Sequence, residues 1–207
     1  DVFVLSKGHA SASLYATLAA RGFFPREQLE GYYMNNGSLP GHLDMTAVPG
    51  IECSAGSLGH GLSVGLGMAI GRKRKGLPSR VFVLVGDGEC NEGSVWEAVM
   101  LAGTLGQDNL VLIIDFNHLQ GFGGDVIKQD NLDERLSAFG WDTVVIDGHD
   151  LVQLKNALTV SAAGKPRAIV ANTIKGRGVS FTTSRMEWHY KSPNDDQLRE
   201  ALRELGE

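Results

Sequence analysis

The sequence predicts an α/β protein: a mostly parallel sheet with helices on both faces. Three observations carry this. Val81–Val85 and Leu110–Ile114 are unbroken apolar runs, as expected of central parallel strands buried on both sides. Strand-like and helix-like segments alternate along the chain, which favours parallel pairing through helical crossovers. Glycine, 27 of 207 residues, is neither periodic nor low in complexity; it sits at the ends of apolar runs and beside histidines.

The elements follow in order. Asp1–Leu5 reads as a short apolar strand that runs straight into the turn Ser6-Lys7-Gly8-His9. It lacks the charged and apolar regions of a targeting sequence. Ser11–Arg21 is a small-residue helix stopped by Gly22. Pro25 opens a second helix reaching about Tyr33, where its missing N–H does no harm. Residues 35–55 form a long irregular stretch holding Gly37, Pro40, Gly41, Pro49 and Gly50. Loops of that length in compact domains are commonly functional, and this one carries His42, Asp44 and Glu52. Gly56–Gly61 leads into a glycine-rich helix, Leu62–Gly71, whose small residues permit close packing. The same spacing would suit a membrane helix dimer, but the segment is too short to span. After Val81–Val85 come a helix at Ser94–Leu105 and the strand Leu110–Ile114. A helix at Leu132–Phe139, a strand at Thr143–Ile146, a helix at Leu151–Ala162 and a strand at Ala168–Asn172 follow. A charged amphipathic helix, Asp195–Leu205, closes the chain. No interior linker or repeat is visible, so residues 1–207 read as a single domain.

Composition excludes several functions. Hydrophobic residues are 43% and charged residues 21%, the balance of a soluble globular domain. The net charge of −5 and the single basic cluster Arg72–Lys75 argue against nucleic-acid binding; such a cluster suits a helix C-terminus. No apolar stretch reaches membrane-spanning length. Cys53 and Cys90 lack metal-ligand spacing and read as free thiols in a reducing, cytoplasmic compartment.

Two patterns carry chemistry. Four of six histidines follow a glycine: His9, His42, His60 and His149. Titratable groups on tight turns suit a polar site. The second pattern is stronger. Asp87 ends one apolar strand, flanked by Gly86 and Gly88, and Asn117 follows the next. In parallel sheets ligands bind beyond the carboxyl ends of the strands. Asp87, Asn117, Gly148-His149 and Lys175-Gly176 should therefore share one rim. A carboxylate and a carboxamide are oxygen ligands suited to Mg²⁺, which takes few protein oxygens and shares its shell with phosphates and water. A third protein ligand would be a backbone carbonyl just after Asn117. In the plainer alternative, Asp87 caps the next helix and Asn117 makes a turn.

The ordered set Phe3-Val-Leu-Ser-Lys-Gly8-His9, Gly41-His42, Gly56-Ser-Leu-Gly-His-Gly-Leu-Ser, Gly86-Asp-Gly-Glu-Cys-Asn-Glu92-Gly, Asp147-Gly-His-Asp, Lys175-Gly-Arg-Gly-Val-Ser-Phe and Trp188-His189 resembles the transketolases, within the thiamine diphosphate enzymes. The resemblance covers essentially the whole chain. It implies the diphosphate-domain fold and the following roles. Asp87, Asn117 and the Leu119 carbonyl would hold Mg²⁺, or a cation such as Ca²⁺ or Mn²⁺. Gly88, His9 and His189 would contact the thiamine diphosphate. Gly56 and Leu58 would line the loop toward its aminopyrimidine end. His42 would face donor-sugar hydroxyls, and Glu92 would join an acidic relay between active sites. The implied reaction moves a two-carbon ketol unit from a ketose (phosphate) to an aldose, with proton transfers that histidines near neutral pKa can serve.

Some positions depart from the family. Tyr190 follows His189 where the family usually has glycine, and His118 stands where it often has lysine. His60 reads as a helix-head residue and His149 as a strand-end turn. An upstream helical segment and the pyrimidine-binding domain of a full transketolase are not in this sequence. The expected protein is thus the N-terminal subunit of a split transketolase, in an α2β2 assembly with a separate C-terminal subunit. Rival readings are one component of a deoxyxylulose-phosphate synthase-like or 2-oxoacid-decarboxylating enzyme, and a non-catalytic scaffolding paralogue. A Mg²⁺ phosphotransferase would want a phosphate loop with lysine, which is absent from the sequence.

Overall fold

The computed structural model of the chain describes residues 1–160 and 163–206. Among them are five strands: β1 (Val2–Leu5), β2 (Val81–Gly86), β3 (Leu110–Phe116), β4 (Asp142–Asp147) and β5 (Arg167–Asn172). Six α-helices accompany them: α1 (Ser11–Ala20), α2 (His60–Arg74), α3 (Gly93–Thr104), α4 (Leu132–Ala138), α5 (Leu151–Thr159) and α6 (Asp195–Leu205). Every strand pairing is parallel, in the order β1-β2-β3-β5-β4.

Register explains how the sheet is covered. Val81, Val83 and Val85 point with Leu110, Leu112 and Ile114 into one core, completed by Leu62, Leu66, Val95, Val99 and Leu136 from α2, α3 and α4. On the opposite face Phe82, Ile113, Ile146 and Ile169 pack with Ala157 and Leu154 of α5. Leu5 and Leu84 meet a third cluster, built by Tyr15 and Leu18 of α1 with Leu39, Leu43 and Ile51 of the long loop. Between these two clusters lies an uncovered strip. Val81–Val85 was expected to be buried on both sides; Val81, Val83 and Val85 are, but Phe82 and Leu84 are half-buried. Leu84 and Ile113 line the main cavity, which explains their exposure.

Element boundaries differ from expectation at several places; helix α2 extends past Leu62–Gly71 at both ends, and β3 runs on to Phe116. The segment after Pro25 is a 3-10 helix, Arg26–Gly31, not a helix to Tyr33. Pro25 itself is extended, Tyr32 bridges to Leu39, and Tyr33 takes a positive φ of 55°, so the chain has already turned. Helix α5 stops at Thr159, where Val160 is extended; Ser161 and Ala162, the end of the expected helix, lie outside the described residues. The basic residues Arg72, Lys73 and Arg74 occupy the last turn of α2, and Lys73 pairs with Asp108 at 2.6 Å. No helix of the described residues is long and apolar enough to cross a membrane.

Candidate functional site

All five strands point their carboxyl ends toward one rim. A cavity of about 1040 Å³ opens there and continues along the uncovered strip of sheet. Its wall includes Lys7 and His9 after β1, Asp87 and Gly88 after β2, and Asn117 and Leu119 after β3. His149 after β4 and Thr173 and Lys175 after β5 complete it. Leu58, Glu92 and His189 also line it. The topology makes this convergence necessary, because β2 and β3 are neighbours and Asp87 and Asn117 each follow directly on one of them.

Asp87 is 3% exposed. One carboxylate oxygen accepts from Gly88 N at 2.8 Å, and the other accepts from His118 N at 2.8 Å and Asn117 N at 3.2 Å. Asn117 Oδ1 accepts from Leu119 N at 2.9 Å. The plainer alternative is therefore present in the structure: Asp87 caps a 3-10 turn, Gly88–Asn91, and Asn117 makes an Asx turn. These bonds do not exhaust the oxygens, since a carboxylate offers about four lone-pair sites. Burial raises the Asp87 carboxyl above its usual range, with the three backbone donors pulling it part of the way back and Asp115 pushing it up.

The neighbouring charge is mixed: Lys7 and Lys175 share the cavity wall with the carboxylates of Asp87, Glu89, Glu92 and Asp115. Lys7 pairs with Asp115, which also accepts from the Thr173 hydroxyl. Burial opposes the Asp115 charge, yet Lys7 and Thr173 hold this carboxyl below its usual value. Lys175 is lowered by burial and by Lys7. The His9 and His189 rings lie 5.3 Å apart. His9 keeps an exposed edge, yet water is withdrawn from its imidazole enough to lower its pKa to about 4, with His189, Lys7, Lys175 and His42 adding to the depression. Burial, Lys175 and Lys7 likewise lower His189, whose Nδ1 is buried without a hydrogen-bond partner. Both imidazoles thus sit in a positive field, the environment an anionic ligand would relieve.

The site is braced from below by Glu89, only 2% exposed. Its Oε1 accepts from Ser6 Oγ at 2.6 Å and Gly59 N at 2.8 Å, and its Oε2 from Gly86 N at 3.0 Å. One carboxylate thereby joins the end of β1, the head of α2 and the end of β2. Gly8 permits the same closeness: a Cβ there would fall 2.5 Å from the Ala55 carbonyl oxygen. Burial, with the charges of Glu89 and Asp87, pushes the Cys90 thiol far up, which leaves it inert rather than nucleophilic.

Of the residues singled out in the sequence, His9, Leu58, Asp87, Gly88, Glu92, Asn117, Leu119 and His189 share the main cavity. His42 and Gly56 are outside its lining. A Cβ at Gly56 would stand 3.7 Å from His42 Cδ2, so these two face each other, and Gly56 lines a separate smaller pocket with Cys53, Ser57 and His60. His149 Nε2 accepts from Ile174 N at 2.8 Å, a strand-end turn as expected, and His60 is the first residue of α2. Sequence reasoning missed Lys7, Glu89, Asp115 and Thr173. Only their places at strand ends could have signalled them. It also gave His118 no role, although its backbone N–H holds Asp87.

The donor set tests what the rim could hold. Among the described residues no three His, Cys, Asp or Glu side chains converge on a metal position. A cation at Asp87 would have one carboxylate, one carboxamide and the Leu119 carbonyl, to which no donor is bonded among the described residues. That all-oxygen, half-filled set fits a hard cation whose shell is completed by phosphate and water. The lysines and the unpartnered His189 Nδ1 fit the phosphate groups themselves. Fold and rim together thus define an α/β domain equipped to seat a phosphorylated cofactor.

Comparison with known proteins gives that class a family. The model for "Transketolase, thiamine diphosphate binding domain" matches residues 1–207, and the chain belongs to this family. It is 41% identical over 208 residues to an apulose-4-phosphate transketolase subunit of Actinobacillus succinogenes, covering 99% of this chain and 75% of that protein. It is 38% identical over 209 residues to the 6-deoxy-6-sulfo-D-fructose transketolase subunit SqwG of Clostridium sp. strain MSTE9, covering 99% and 76%. Among solved structures, the transketolase of Campylobacter jejuni superposes with a TM-score of 0.92 at 30% identity, covering 100% of this chain and 34% of that one. A complex of the Pichia stipitis transketolase with sedoheptulose-7-phosphate superposes with a TM-score of 0.90 at 28% identity, covering 100% and 33%. The chain thus spans about a third of the solved transketolases it matches.

Proposed function

We propose that the chain is the diphosphate- and metal-binding subunit of a two-component transketolase. In this reading it moves a two-carbon ketol unit from a ketose (phosphate) donor to an aldose acceptor. The observation that carries the reading is the placement of Asp87 and Asn117 on adjacent strand ends, in one cavity with His9, His189, Lys7 and Lys175. Two relatives that the chain covers to about three quarters are themselves named as transketolase subunits, which supports a separate partner. We assign that partner the pyrimidine-binding domain and the assembly an α2β2 form, working in the cytoplasm.

Thiamine diphosphate, when bound, supplies the carbon nucleophile. Asp87, Asn117 and the Leu119 carbonyl would hold Mg²⁺, and Gly88, His9 and His189 the diphosphate. Gly56 and Leu58 would border the end that faces the partner. The low pKa of His9 keeps it a neutral imidazole at physiological pH, able to accept or donate a hydrogen bond at a sugar hydroxyl or carbonyl oxygen. His42 would meet the donor sugar, and Glu92, exposed on the cavity wall, would reach the neighbouring active site.

The test is reconstitution. With Mg²⁺ and thiamine diphosphate, the chain alone should transfer no ketol unit, and the chain with a pyrimidine-domain partner should. Transfer by the isolated chain would overturn the two-component reading. An assembled complex that shows no Mg²⁺-dependent cofactor binding would point to scaffolding instead.

A further inference from the structure

Tyr190 joins two segments of the cavity mouth that are distant in sequence. It follows the 3-10 turn Met186–His189, and its hydroxyl donates to the Gly121 carbonyl at 3.0 Å. Gly121 lies two residues beyond Leu119, in the loop that begins at Asn117. That loop is organised from within: Gln120 Oε1 accepts from Asn91 Nδ2 at 2.6 Å and from Val126 N at 3.0 Å. Tyr190 adds a tie from outside, across the opening. Its ring is 74% exposed, so burial does not explain its position.

The same ring stands edge-on to His189, with centroids 4.7 Å apart and planes at 79°. His9 flanks His189 as well, at 5.3 Å. The His189 Nδ1 has no partner, and among the described residues no side-chain hydrogen bond fixes this imidazole. Ring packing is what orients it. An edge-on aromatic pair contributes beyond area burial, enough to select one ring orientation over another.

We propose that Tyr190 is a positioning residue that sets the His189 imidazole with its ring and straps the loop after Asn117 across the diphosphate cavity with its hydroxyl. The proposal rests on the functional reading above, because the strap matters only if the cavity holds the diphosphate. Its two parts separate by mutation. Tyr190→Phe removes the tie and keeps the ring; Tyr190→Ala removes both.

The experiment uses the full chain assembled with its partner. Dissociation of Mg²⁺–thiamine diphosphate is followed by protein fluorescence, Trp188 lying on the cavity wall beside His189. Loss of one solvent-accessible neutral hydrogen bond should speed release about threefold in Y190F. Y190A should release at least as fast and should also lose about tenfold in kcat with an altered pH profile, a loss that phenylalanine at this position largely restores. Release from Y190F at the wild-type rate would overturn the strap. Equal kcat loss in Y190F and Y190A would overturn the role of the ring. A wild-type complex that binds no thiamine diphosphate would overturn the underlying functional reading, so the two failures are distinguishable.

Discussion

Replacing Glu89 by glutamine removes one oxygen and almost no volume, and the structure specifies which contact is lost. Oε1 serves two donors, Ser6 Oγ and Gly59 N, whereas Oε2 serves Gly86 N alone. The glutamine carbonyl will therefore take the Oε1 position. Its NH₂ then faces the Gly86 N–H, donor against donor, in a place that is 2% exposed. A hydrogen bond to a charged group contributes about 1.5–3 kcal/mol, and an orphaned buried N–H adds to the loss. The expected destabilisation is about 3 kcal/mol. For a chain of this size that lowers Tm by roughly 6–12 °C. Thermal and urea unfolding followed by circular dichroism measure it. An E89Q protein within about 0.5 kcal/mol of wild type would refute the view that this carboxylate braces the strand ends.

Three further outcomes follow from the site. Asp87→Asn should weaken calorimetric binding of Mg²⁺–thiamine diphosphate to the assembled complex by at least about 100-fold, beyond the ~10–100-fold typical of outer-shell partners; retained affinity would remove Asp87 from the metal site. His9 has its folded pKa lowered from 6.5 to about 4, so the fold resists its protonation. Its contribution to stability is present above the unfolded value and is lost as pH falls through that window. His9→Gln should flatten this part of the pH dependence of the urea midpoint, and an unchanged slope would count against it. His42→Ala should impair ketose turnover more than cofactor affinity, since His42 stands outside the main cavity; equal loss of both would argue against a donor-sugar role.

What the sequence disclosed follows from where the information is stored. Asp87 and Asn117 were legible because each ends an apolar run, and parallel topology brings such ends to one edge. The glycine–histidine turns were legible for the same local reason. Glu89 was not. It sits two residues past Asp87 and looks like one more acidic residue of that cluster, yet two of its three partners are 83 and 30 positions away. Lys7, Asp115 and Thr173 form their network only once β1, β2, β3 and β5 are in register. The half-exposure of Leu84 was hidden too, because an apolar run records what a strand prefers, not which strip of sheet its neighbours leave open. The turn at Arg26–Gly31 shows the limit of a proline signal: it starts helical geometry, while the bridge from Tyr32 to Leu39 decides where that geometry stops.

Backbone N–H groups hold both Asp87 oxygens and the Asn117 amide oxygen. On the reading proposed above this is the diphosphate end of the site, and its ligand atoms are held in place by the backbone. Binding there requires little new backbone order, so most of the attraction for cation and phosphate survives as affinity instead of being offset by lost conformational entropy. In the proposed two-component enzyme it also divides the assembly in time: this half can be ready before its partner arrives, and docking of that partner becomes the step that makes a loaded site competent.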